Sequence, residues 1–154
     1  IIAVEPIPEN FKLLKKNIQI NEISNIIPLK LGIWSNQGTL NFKNEKYISK
    51  VDLKLSDIDK NNLVQIKTNT IDNIVENQGL NKVDLIKMDI EGAEIEAIKG
   101  AKNVLVQNSN LKLIIAAYHN INPYIKSYEI LVPKLKKLNY KIENRYLPFI
   151  FAYK

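Results

Sequence analysis

The sequence predicts an α/β fold: a Rossmann-like, doubly wound, mostly parallel sheet that closes on a C-terminal antiparallel hairpin. Three observations predict it. Short β-branched runs alternate along the chain with segments of helical periodicity. Most of those runs are continuously apolar, as in strands covered on both faces. The last two runs, Tyr140–Tyr146 and Phe149–Tyr153, face each other across Leu147-Pro148, the pattern of an antiparallel pair. Right-handed crossovers place successive strands side by side.

The elements follow in order. Ile1–Val4 reads as a buried strand that stops at Glu5-Pro6, because proline has no N–H for the ladder. Pro8 suits the first turn of a helix, and Glu9 complements its positive end. Phe11, Leu14 and Ile18 form one apolar stripe, and Asn21 supplies a left-handed stop. Ile26–Leu31 is a second strand ending at Gly32. Trp34–Gly38 is a turn and Thr39–Phe42 a short strand. Residues 43–62 are polar and mixed in sign, a surface excursion with a short strand at Val51–Leu55. Val64–Thr68 alternates as a strand. Thr70 caps a helix through Val75, with Gly79 just past its end. Val83–Met88 is a strong strand broken by Asp89-Ile90-Glu91-Gly92. A helix follows to Lys99, with Gly100 at its end. Leu111–Tyr118 is another strand, and Tyr128, Leu131, Leu135 and Leu138 mark the last long helix.

Composition narrows the chemistry. The chain has 154 residues, a formal net charge of +6, 45% apolar and 25% charged residues, and no cysteine. That describes one soluble globular domain and fits the cytoplasm. It excludes disulfides, zinc-thiolate sites and thiol nucleophiles. No apolar run approaches the roughly 20 residues of a membrane helix. Lysine supplies nearly all the positive charge, and Arg145 is the sole arginine. Nucleic-acid readers lean on arginine, so that partner is disfavoured. Lys134, Lys136 and Lys137 read as a solvated helix face, with an anionic partner as the alternative. Phosphate-loop, dinucleotide and nucleophile-elbow glycine motifs are all absent.

In open α/β sheets, ligands bind beyond the carboxyl ends of the strands. The residues there are Glu5, Gly32, Asp89 with Glu91, and His119. Glu5 is placed to accept bonds from two vicinal ribose hydroxyls; as a surface residue it would only precede a proline turn. Asp89-Ile90-Glu91-Gly92-Ala93-Glu94 is the densest cluster. Glu91 and Glu94 are expected near one helix face, where they would complement the helix dipole. Three carboxylates there need a cation, a basic side chain or a proton to offset them. His119, the only histidine, shares the sheet edge with Asp89 and is either a general base or a structural residue.

Three segments in order resemble FkbM-type S-adenosylmethionine (SAM)-dependent methyltransferases. They are Val4-Glu5-Pro6-x-Pro8-Glu9-Asn10-Phe11 with Leu14 to Asn17, Thr70-Ile71-Asp72, and Val83 to Glu94 followed by Gly100-Ala101. The resemblance implies a seven-stranded Rossmann-like sheet ending in an antiparallel hairpin. It assigns SAM binding to Glu5 (ribose), to Leu31, Gly32 and Ile33 (adenine), and to Asp89 (methionine end). It places Asp89, Glu94 and His119 as the catalytic group facing a small-molecule acceptor, with O-methylation as the reaction. It also puts a first strand and glycine-rich loop before Ile1, so the chain reads as a partial domain. Family members often carry an acid in the strand before the histidine; here Ala116-Ala117-Tyr118 stands there, and a base role falls to His119 or Asp89. No metal is expected, Mg²⁺ on Asp89 and Glu91 being the alternative weighed. The rival function is a SAM-binding module without catalysis.

Overall fold

In the computed structural model, which describes residues 1–45, 48–51, 63–143 and 149–154, the chain opens with a βαβ unit. It comprises β1 (Ile2–Val4), α1 (Pro8–Ile20) and β2 (Ile27–Leu29). The two strands pair in parallel, Ile2 opposite Ile27 and Val4 opposite Leu29. Pro8 and Glu9 occupy the first turn of α1 as helix-start signals should. Phe11, Leu14 and Ile18 are half-buried, and Lys12, Lys15 and Lys16 are exposed. The left-handed stop falls one residue later than expected. Asn21 keeps φ −92°, and Glu22 takes φ 51°. The Ile23 N–H closes back on the Ile18 carbonyl at 3.0 Å and that of Glu22 on Gln19 at 3.2 Å. This termination puts the left-handed residue just after the cap. β1, expected buried, is half-buried, because among the described residues it pairs along one edge only.

The run expected as one strand over Ile26–Leu31 ends at Leu29. Gly32–Ile33 (β3) starts a separate ladder with β4 (Gly38–Glu45), β5 (Ile48–Val51) and β6 (Leu63–Asn69), in the order β3-β6-β4-β5. β3 is parallel to β6, while β4 is antiparallel to β5 and β6. In β6, Ile66 and Thr68 are buried and Gln65 and Lys67 exposed, the one-sided burial of an antiparallel arm. The strand expected at Val51–Leu55 meets the structure only at Val51, the last residue of β5; residues 52–55 lie outside the described set.

The second half supplies α2 (Ile71–Asn77), β7 (Leu85–Met88), α3 (Glu94–Lys99), α4 (Lys102–Gln107) and β8 (Lys112–Ala116). A small hairpin follows, β9 (Asn120–Asn122) and β10 (Ile125–Lys126), then α5 (Ser127–Lys137), β11 (Lys141–Glu143) and β12 (Phe149–Tyr153). The main ladder runs β11-β12-β8-β7. β7 and β8 are parallel, and β12 lies antiparallel between β8 and β11; of the strand expected over Tyr140–Tyr146, β11 covers Lys141–Glu143, and residues 144–146 lie outside the described set. The Rossmann-like α/β class stands. Parallel pairing is confined to β1–β2, β3–β6 and β7–β8 among the described residues, because the β4–β6 arm adds antiparallel pairs.

Helix α2 begins as expected. The Thr70 hydroxyl accepts from the Asn73 N–H at 3.0 Å, and Gly79 takes φ 62° beyond its end. The sequence reading did not separate α4 from α3. Its N-terminus is capped from a distance: the Asp72 carboxylate accepts from the Asn103 and Val104 N–H groups at 3.0 and 2.9 Å. Gly100 ends α3 with φ −86°, so conformational freedom is not its purpose. A Cβ there would stand 2.3 Å from the Trp34 carbonyl oxygen. The core gathers between helices and main ladder around Leu105, Leu111, Leu113, Ile115, Leu131 and Leu135. Among the described residues no helix is long and apolar enough to cross a membrane.

Candidate active site

β7 and β8 run in parallel register, Met88 opposite Ile115. Their carboxyl ends therefore deliver Asp89 and His119 to one edge. Beyond Asp89 the backbone turns through two left-handed residues, Glu91 at φ 54° and Gly92 at φ 95°. Glycine adopts that conformation freely; glutamate holds it only under constraint. The turn ends at Glu94, the first residue of α3 and fully buried.

The expectation that Glu91 and Glu94 share a helix face is corrected here. Glu91 stays in the turn, and the two acids reach His119 from opposite sides. Glu94 Oε1 lies 2.9 Å from His119 Nδ1, and Glu91 Oε2 lies 3.4 Å from Nε2. Asp89 Oδ1 is 3.8 Å from Nε2. Glu94 Oε1 also accepts from the N–H groups of Ile90 and Gly92 at 3.2 and 3.4 Å, so it ties the turn together from inside. Asp89 and Glu91 are open to solvent, with 39% and 44% of their side chains exposed, whereas His119 retains 10%. Four of the residues that sequence patterning picked out thus form one cluster.

Tyr118 was not foreseen as part of it. Its hydroxyl donates to Asp89 Oδ1 at 3.4 Å, and its ring leans on the imidazole at 4.3 Å between centroids. Desolvation, then the Asp89 and Glu91 carboxylates, push its phenol above the ordinary range. The signal was present as an aromatic residue at a strand end beside the histidine. Ala116 and Ala117, where the resemblance led one to seek an acid, are buried core.

The remaining candidates sit at the ends of β1 and β2. Glu5 follows β1 and spends one carboxylate oxygen on the Ile7 N–H at 2.8 Å. Leu31 links β2 to β3, and Gly32 opens β3 close to Pro6, 3.9 Å from a built Cβ to the proline Cβ. Ile33 packs against the main core. Among the described residues, no hydrogen bond or ion pair joins this group to the Asp89 cluster.

Polar side chains beyond the carboxyl ends of parallel strands define an α/β ligand-binding domain of Rossmann type. Comparison with known proteins narrows that class: the Methyltransferase FkbM domain matches residues 1–142, and the chain belongs to the FkbM methyltransferase family. It is 30% identical over 123 residues to the hexuronic acid methyltransferase AglP of Haloferax volcanii, covering 80% of this chain and 49% of that protein. It is 28% identical to the methyltransferase sdnD of Sordaria araneosa, covering 65% of this chain and 50% of that one. The chain spans about half the length of these curated relatives. The crystal structure of methyltransferase FkbM from Methylobacillus flagellatus KT superposes with a TM-score of 0.67 at 22% identity, over 99% of this chain and 36% of that one, a likeness of fold.

Proposed function

We propose that the protein uses S-adenosylmethionine to methylate a hydroxyl of a small-molecule acceptor, with sugars and sugar acids as the preferred class. The observation that carries this is the convergence of Asp89, Glu91, Glu94 and His119 at the ends of two neighbouring parallel strands. The acceptor class follows the relative that methylates hexuronic acid.

The residues present fit the ribose and adenine side of the cofactor. The Ile7 N–H fixes Glu5 at its strand end and leaves the second oxygen for a ribose hydroxyl. Gly32 has little room for a side chain, since a built Cβ stands 3.3 Å from an Ile66 methyl, 3.5 Å from a Thr68 methyl and 3.9 Å from Pro6, so bare backbone lies between Leu31 and Ile33. When bound, SAM supplies a methyl group made electrophilic by its sulfonium. This chain's residues orient the acceptor, exclude water and take its proton. His119 or Asp89 takes that proton. Glu94 is a positioning residue: buried and bound to the turn, it sets the imidazole ring.

Calorimetry on the full-length protein with SAM and S-adenosylhomocysteine tests the cofactor half. Both should bind, and Glu5→Ala should weaken them by about tenfold through the lost charge-assisted bond to the ribose. Mass spectrometry of a uronic-acid glycoside after incubation with SAM tests the transfer half. Binding without methylation across a panel of sugar hydroxyls would leave a sensing module. Failure to bind either compound would end the reading.

A further inference from the structure

We propose that Asp89, Glu91 and His119 form a binding site for a divalent first-row cation such as Mn²⁺, Fe²⁺ or Zn²⁺. One donor atom from each lies within 4.8 Å of the other two. A cation about 2.1 Å from each donor sets neighbouring donors roughly 3.0–3.4 Å apart. His119 Nε2 and Glu91 Oε2 already stand 3.4 Å apart and Asp89 Oδ1 stands 3.8 Å from Nε2; the two exposed carboxylates, within 4.8 Å of each other, draw together to complete the set.

Acidity alone makes no site; the independent observation is the imidazole. The His119 side chain is nine-tenths buried, and neither ring nitrogen has a hydrogen-bond partner. Nδ1 lies 2.9 Å from Glu94 Oε1 but out of line for a hydrogen bond. The fully buried Glu94 leaves Oε2 unpartnered as well. A buried nitrogen left idle and facing two carboxylates is costly unless something meets its lone pair. Among the described residues no lysine or arginine pairs with Asp89, Glu91 or Glu94. A cation at Nε2 satisfies the ring and offsets the crowded carboxylates in one step.

The rest of the arrangement suits that role. Glu94 stands on the Nδ1 side of the ring, where a small turn of the imidazole lets its carboxylate orient a metal-bound histidine. One imidazole nitrogen with two carboxylate oxygens favours first-row divalent ions over Mg²⁺ or Ca²⁺, which prefer oxygen alone. Asp89 and Glu91 are exposed, so further coordination positions face solvent. Occupancy of Nε2 leaves Asp89, through its second oxygen, as the proton acceptor of the two candidates.

The site lies in the cluster on which the methyl-transfer reading rests, so the test uses the metal alone. The full chain is titrated with MnCl₂, free Mn²⁺ is followed by electron paramagnetic resonance, and thermal melts verify that each variant is folded. We expect one tight site per chain, weakened at least about tenfold by Asp89→Asn and by Glu91→Gln, and about 10–100-fold by Glu94→Gln. Spin-echo modulation of the bound ion should show one imidazole nitrogen, lost in His119→Gln. Uptake only at millimolar Mn²⁺, uptake indifferent to Asp89→Asn and Glu91→Gln, or an ion with no nitrogen coupling would each overturn the proposal. SAM calorimetry in excess chelator is independent of all three outcomes, so the two readings can fail separately.

Discussion

Tyr140 carries its phenol into the core. The residue is 3% exposed, and its hydroxyl donates to the Leu105 carbonyl at 3.1 Å. Burial pushes its pKa above the usual value near 10. Below that pH both folded and unfolded states keep the proton, so the contribution to stability is constant. Above it the unfolded state ionises first, and stability falls as pH rises toward the folded pKa. Tyr140→Phe should cost about 1 kcal/mol near neutrality, and its urea midpoint should fall less than that of the parent between about pH 8 and about pH 10.5. At this level the sequence was partly legible. Asp89 and His119 could be found because a polar residue after an apolar run marks a strand end. The burial of Glu94 could not be, since an acid at a helix start ordinarily points into water to meet the dipole. Only the left-handed pair Glu91-Gly92 turns the chain far enough for Glu94 to bond back to Ile90 and Gly92.

Thr70-Ile71-Asp72 serves two helices at once. Thr70 caps α2, and Asp72 caps α4 from 31 and 32 positions away. Asp72→Ala should cost about 1–2 kcal/mol, read as a lower urea midpoint, with SAM affinity unchanged because the cap lies in neither residue group of the site. That remote cap also explains why α4 was invisible in the sequence: Ala101, at its start, offers no side-chain acceptor. The β9–β10 hairpin was missed for another reason. Its strands are short, β9 holds asparagine at both ends, and the turn is closed locally by the Asn122 side chain accepting from the Tyr124 N–H at 2.9 Å. The longer helices could be read because their stripes are long and their ends carry ordinary signals. Lys134, Lys136 and Lys137 belong to the last turn of α5, where the helix's negative end favours them.

The α/β architecture was legible because β1, β7, β8 and β12 are each mostly apolar. Their neighbours were less so, since the β3–β6 arm pairs through contacts that no local pattern encodes. Gly100 shows how closely the parts must meet: it lets α3 rest on the Trp34–Ser35 turn, and its carbonyl accepts from the Asp72 N–H at 3.0 Å. Gly100→Ala would push against the Trp34–Ser35 backbone and the Thr70 Cβ and should cost about 1–3 kcal/mol, lowering the melting temperature by about 2–4 °C per kcal/mol in calorimetry. The insertion of β12 between β8 and β11 has a bearing on time rather than on energy. β11 leaves the ribosome before β12 yet has no other partner among the described residues, so it stays unpaired until Phe149–Tyr153 has emerged and docked on β8, more than thirty residues back. Such distant pairing is slow. During the wait β8 presents a bare apolar edge, Leu113 to Ala116, of the kind that captures strands from other chains. The ladder that holds His119 in place is therefore completed only when the last strand of the described chain has been made.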